Sequence, residues 1–94
     1  GGVIVVSLDG RLIGLVTDGD IRRAILKYGS LLDRRLSDIM THNPATVRTG
    51  TKAMDALKRM EDRPSQISVL PVLDENDRPI GLLRIHDLVK AGLR

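Results

Sequence analysis

Residues 2 to 8, GVIVVSL, are apolar at nearly every position, the pattern of a strand covered on both faces. Asp9-Gly10 then breaks the run, and LIGLV resumes it. An Asp-Gly pair between apolar runs is a strong hairpin signal. From Gly19 to Lys27 the period changes: Ile21, Ala24 and Ile25 share one helical stripe, and Arg22, Arg23 and Lys27 fall off it. Gly29 stands where a left-handed C-terminal cap is expected. Residues 30 to 44 read as a linker with one helical turn at Ser37 to Met40 and a turn at Asn43-Pro44. ATVRT is a short strand. Thr51 is the expected N-cap of a helix to about Asp62, with Ala53, Met54, Leu57 and Met60 as its apolar stripe. QISVLPVL is a further strand, in which Pro71 implies a missing ladder bond or an edge position. DENDR is a hairpin turn, PIGLL the return strand, and a last helix fits His86 to Leu93.

The pattern occurs twice. LIGLVTDGDIRRAIL (residues 12 to 26) lies over PIGLLRIHDLVKAGL (residues 79 to 93). Ile13, Gly14, Leu15, Asp20, Ala24 and Leu26 match Ile80, Gly81, Leu82, Asp87, Ala91 and Leu93. Setting Leu8-Asp9 over Leu73-Asp74 makes the second hairpin turn two residues longer. A strand and helix precede the second copy and not the first. The expected fold is therefore α/β of the α+β type: tandem β-α-β-β-α motifs, each with a small sheet and two short helices, the first lacking its opening strand and helix. Residues 1–36 form the partial motif with its linker, and 37–94 the complete one. Gly1-Gly2 is then expected to be the interior of a longer protein.

Composition narrows the chemistry. The chain has 94 residues, no cysteine, no Phe or Trp, and one tyrosine, Tyr28, so its core must be aliphatic. Without cysteine there are no disulfides and no thiolate metal sites, which suits a reducing cytoplasm. No apolar run approaches the roughly 18–20 residues of a membrane span. The net charge of +3 is scattered and lacks stacking aromatics, which argues against nucleic acid as partner.

The tandem unit, with Gly-x-x-Thr-x-x-Asp at Gly14, Thr17 and Asp20, resembles the CBS domain pair, or Bateman module. GLVTDGDIRRAI, SDIMTHNPATV and GLLRIHDLVKAG together resemble the C-terminal CBS pair of the arabinose-5-phosphate isomerase family of the KpsF/GutQ type. The resemblance implies a regulatory module rather than a catalytic one, with catalysis in an upstream sugar isomerase (SIS) domain. It also implies a nucleotide or nucleotide-sugar ligand in the cleft between repeats. An adenine nucleotide and a cytidylyl sugar acid such as a derivative of Kdo, a lipopolysaccharide precursor, are the candidates, and the setting would be a Gram-negative cytoplasm. A ligand-free dimerisation module, or the CBS pair of another parent, are the alternatives. No cofactor is expected.

Thr17 precedes a helix whose first N–H groups lack intrahelical partners and whose dipole is positive there. Such an end suits an anion. The resemblance gives Thr17 a ligand hydrogen bond and Asp20 the two hydroxyls of a ribose, with Asp18 pointing away. Against this, Thr-x-x-Asp is close to a capping box, which contributes about 1 kcal/mol without any ligand. In the second repeat the same positions are Arg84 and Asp87, with His86 between. Arg84 is either a clamp for phosphate or a surface residue; as a clamp it makes the second half-site the only one expected to add a cation. His86 is a candidate ligand hydrogen-bond partner or else a surface group. A catalytic His86-Asp87 pair is rejected, because adjacent helical residues diverge and no nucleophile accompanies them. Apolar helix positions Ile21, Ile25, Leu88 and Val89 suggest a homodimer contact.

Overall fold

A computed structural model describes residues 1–62, 67–90 and 92. The chain forms two compact units, Gly1–Pro44 and Ala45–Arg94. The first holds β1 (Gly2–Val6), β2 (Leu12–Thr17), α1 (Asp18–Tyr28), α2 (Leu36–Ile39) and β3 (Thr41–His42). Its sheet is antiparallel, in the order β1-β2-β3. The second holds β4 (Val47–Arg48), α3 (Ala53–Glu61), β5 (Val69–Leu73), β6 (Pro79–Arg84) and α4 (Ile85–Lys90). There β4 runs parallel to β5, with α3 as the crossover, and β6 returns antiparallel. This is the mixed α/β architecture of two small sheets and short helices expected from the periodicity.

The repeat extends to the hydrogen bonding of the hairpins, with one correction. Ser7 N donates to Arg11 O at 2.9 Å, and Asp74 N to Arg78 O at 2.9 Å. Gly10 N donates to Ser7 O at 3.0 Å, and Asp77 N to Asp74 O at 3.2 Å. The two turns are therefore equal in length, and Ser7, not Asp9, corresponds to Asp74. The two Leu-Asp dipeptides are not equivalent: Leu8 is a fully exposed turn residue, whereas Leu73 is buried in β5. Gly10 and Asp77 occupy the same left-handed turn position, with φ of 86° and 63°. Each hairpin also carries a bulge at the same place. Val5 pairs with Gly14 and Val6 with Leu12, leaving Ile13 as the extra residue; Val72 pairs with Gly81 and Leu73 with Pro79, leaving Ile80.

Other expectations change where burial decides. The apolar run of β1 is not covered on both faces: it is an edge strand whose Val3 and Val6 are exposed. Along α1 only Asp20 and Ala24 are buried, and Ile21 and Ile25 stay 39% and 48% exposed. In α3 the buried stripe is Ala56, Leu57 and Met60, while Ala53 and Met54 face outward. Its N-cap is Lys52 rather than Thr51, and no side chain caps it. Leu88, expected at a dimer contact, is buried in the second unit's core with Val47, Ala56, Leu57, Met60 and Leu70. Pro71 lies in a central strand, so the edge alternative fails. It pairs with Leu82 and falls one residue short of the two-residue ladder with β4, where an N–H is not demanded. The last helix begins at Ile85, and Ala91 and Leu93 lie outside the described residues.

Candidate functional site

The corner between β2 and α1 is organised around one carboxylate. Thr17 ends β2 in an extended conformation and caps α1. Its hydroxyl accepts from Asp20 N at 3.3 Å, and its N–H donates to Asp20 Oδ2 at 2.9 Å, so the capping box forms with Asp in place of the usual Glu. The hydroxyl also donates to Oδ2 at 3.0 Å. Oδ1 receives Arg23 Nη2 at 2.7 Å and Thr41 Oγ1 at 2.9 Å. Asp20 is 6% exposed, a nearly buried carboxylate with four donors on its two oxygens. Burial pushes its pKa up. The bonds from the Thr17 N–H, Arg23, Thr41 and the Thr17 hydroxyl outweigh that and hold it below the ordinary aspartate value. Asp18 is exposed on the helix surface.

Arg23 and Thr41 were not anticipated, and Arg23 corrects the expected asymmetry: the first half-site has a cation too. Arg23 is legible in hindsight as the i+3 neighbour of Asp20 on the helix. Thr41 carried no local signal. It reaches Asp20 because β3 pairs with β2 at Leu15↔Thr41. The pairing also explains the motif glycine. A Cβ on Gly14 would run into the Met40 side chain at Sδ and Cγ, so any larger residue there requires Met40 to shift. Gly81, its counterpart, has nothing within 4 Å of such a Cβ.

At the corner between β6 and α4, Arg84 stands at the position of Thr17 but, being a donor only, pairs with the carboxylate without capping the helix as Thr17 does. Its Nε donates to Asp87 Oδ2 and its Nη2 to Asp87 Oδ1, both at 3.0 Å. The pair is open to solvent, with Arg84 and Asp87 side chains 53% and 45% exposed. Hydrogen bonding to Arg84 lowers the Asp87 pKa, and the same bond raises that of Arg84. His86 is exposed. The structure thus brings Thr17 together with Asp20, and Arg84 with Asp87.

Beside Asp20 lies a cavity of about 220 Å³ lined by Asp20, Arg23, Ala24, Lys27, Tyr28, Asp38, Ile39 and Met40. Asp20, Arg23, Ala24 and Lys27 form one stripe of α1, and the last three residues come from α2 and its end. Arg34 stacks on Tyr28, 3.9 Å from the ring centre. Among the described residues no group of His, Asp and Glu could hold a metal ion, and no helix is long and apolar enough to cross a membrane.

The family model for the CBS domain matches residues 1–27 and 36–94. The second stretch begins at α2, within the first compact unit. Arabinose 5-phosphate isomerase KdsD of Pseudomonas aeruginosa is 41% identical over 93 residues, 99% of this chain and 28% of that protein. The chain thus spans little more than a quarter of that relative's length. The crystal structure of the CBS domain NE2398 superimposes with a TM-score of 0.82 and 33% identity, covering 100% of this chain and 71% of the other. That of CBSX2 in complex with AMP gives 0.77 and 28%, covering 98% and 70%.

Proposed function

The chain belongs to the CBS-domain family, and from that premise we propose that it is the ligand-sensing CBS pair of an arabinose-5-phosphate-type isomerase. The observation that carries the reading is likeness over almost the whole chain to the corresponding part of such an enzyme. In motif terms, residues 1–36 are the partial first repeat and 37–94 the complete second. The ligand is a nucleotide or nucleotide-sugar. Thr17 and Asp20 take it in the first repeat, and Arg84, His86 and Asp87 are their counterparts in the second. A similar protein crystallised with AMP supports the adenine choice. A cytidylyl sugar acid, as feedback product of the Kdo route in a Gram-negative cytoplasm, is the competitor.

This chain on its own does not isomerise sugar phosphates. Aldose–ketose exchange requires a placed acid–base pair and a group that polarises the carbonyl. Here Asp20 and Asp87 are each tied to an arginine and held in the ionised form. An upstream sugar isomerase domain supplies the chemistry, and the ligand acts on it through different affinities for two enzyme states.

A thermal-shift panel of AMP, ADP, ATP, CMP and a cytidylyl sugar acid tests the reading. At 100 times Kd a ligand adds about 2.7 kcal/mol of stability. A shift with one of these supports sensing, and none with any member contradicts it.

A docking reading is favoured by one observation. Ile21 and Ile25, with the still more exposed Leu26, line a groove along α1 together with Asp18 and Arg22. Homodimerisation would use this face and Val89, without the buried Leu88. A monomer mass by light scattering at high concentration contradicts it.

A further inference from the structure

All four acceptor positions of a carboxylate are in use at Asp20. A ligand hydroxyl can therefore reach it only by displacing a donor already there. The Thr17 bonds close the first turn of α1, and their loss frays the helix. Thr41 is held in place by the pairing of β3 with β2. Arg23 differs from both. Its side chain is 70% exposed on a long stem, and it lines the same cavity as Asp20 and Lys27. It can leave Oδ1 and still remain beside whatever enters.

We propose that Arg23 is an internal occupant of the ligand site and the residue that makes it select anionic hydroxyl-bearing ligands over neutral ones; this rests on the reading of Asp20 as an acceptor for a ligand hydroxyl. A ligand with hydroxyls alone replaces a charge-assisted bond by a weaker one and leaves the guanidinium without its anion. A ligand with hydroxyls and a phosphate exchanges one anionic partner of Arg23 for another. The cost of opening the site is then offset only for the phosphorylated ligand. Nucleotides bind, and their nucleosides are rejected by the same aspartate that would hold them.

Calorimetric titration of the full chain with AMP and adenosine, and with CMP and cytidine, tests the exchange in wild type, Arg23→Ala and Arg23→Lys. In Arg23→Ala the nucleoside no longer has to displace a cation, so its binding tightens by about ten-fold. The nucleotide loses its phosphate partner and its opening cost together, and changes by only a few-fold. The preference for nucleotide therefore collapses from the nucleoside side, and Arg23→Lys retains part of it. A merely structural arginine would move both ligands of a pair in the same direction. An unchanged nucleotide-to-nucleoside ratio in Arg23→Ala overturns the role of Arg23 and leaves nucleotide sensing intact. Binding of no member of either pair to any of the three proteins overturns the reading of Asp20, and the role of Arg23 falls with it.

Discussion

Thr41 Oγ1 donates to Asp20 Oδ1 at 2.9 Å across a separation of 21 residues, and so ties the short third strand to the first turn of the first helix. The bond makes the corner a tertiary structure rather than a local cap. Thr41→Val keeps the shape and removes the donor from a nearly buried carboxylate. The first unit should lose about 1 kcal/mol in chemical denaturation, and amide exchange at Met40 to His42 should accelerate. Unchanged stability and exchange would mean that β3 is held by its strand pairing alone.

Thr17→Ala removes both the acceptor for Asp20 N and a donor to Oδ2. A lost cap costs typically about 1 kcal/mol, and the second bond should place this variant at or above that value. Thr17→Ser should restore most of it. Urea denaturation of the three proteins checks the order, and equal loss in Ala and Ser variants would show that the methyl group, not the hydroxyl, matters.

Acid should weaken the same corner. The Asp20 pKa is lowered in the folded chain, so the folded state binds this proton less readily than the unfolded one. Its contribution is complete above the unfolded aspartate value of about 3.9 and is lost as pH falls through the lower folded value. Asp20→Asn should be less stable than wild type at neutral pH, with the difference narrowing as pH falls below about 4. Melting temperatures between neutral and strongly acidic pH measure this, and a difference that widens toward acid would contradict the sign.

Gly14→Ala should destabilise the first unit by about 1–3 kcal/mol, because its Cβ meets Met40. The matched Gly81→Ala meets nothing within 4 Å and should cost less. In the double variant Gly14→Ala/Met40→Ala the two effects should be less than additive, since one removes the obstacle to the other. Simple additivity would show that the contact is not the reason for the glycine.

Except for β3 (Thr41–His42), which lies in the stretch read as a linker, the type and order of the elements were legible from local signals: apolar runs bounded by turn residues for the hairpins and a period of 3.6 for the helices. The paired Thr17 and Asp20 were legible for the same reason, being a capping signal three residues apart. What was not legible depends on partners distant in sequence. The burial of Leu88, the exposure of Ile21 and the shift of the α3 stripe follow from which face meets a sheet, which apolarity alone does not specify. The Leu-Asp coincidence hid the true hairpin register, which the shared bulges at Ile13 and Ile80 reveal. Arg23 and Thr41 on Oδ1 needed the fold, because a scattered arginine and a linker threonine carry no pattern of their own.

The most direct test of nucleotide sensing at the first corner is amide NMR of the full chain during titration with AMP and with CMP. The account predicts saturable shifts centred on Thr17 to Arg23 and on Thr41, with the Arg23 guanidinium signal moving in step. Shifts confined to other residues, or none from either nucleotide at millimolar concentration, would contradict it.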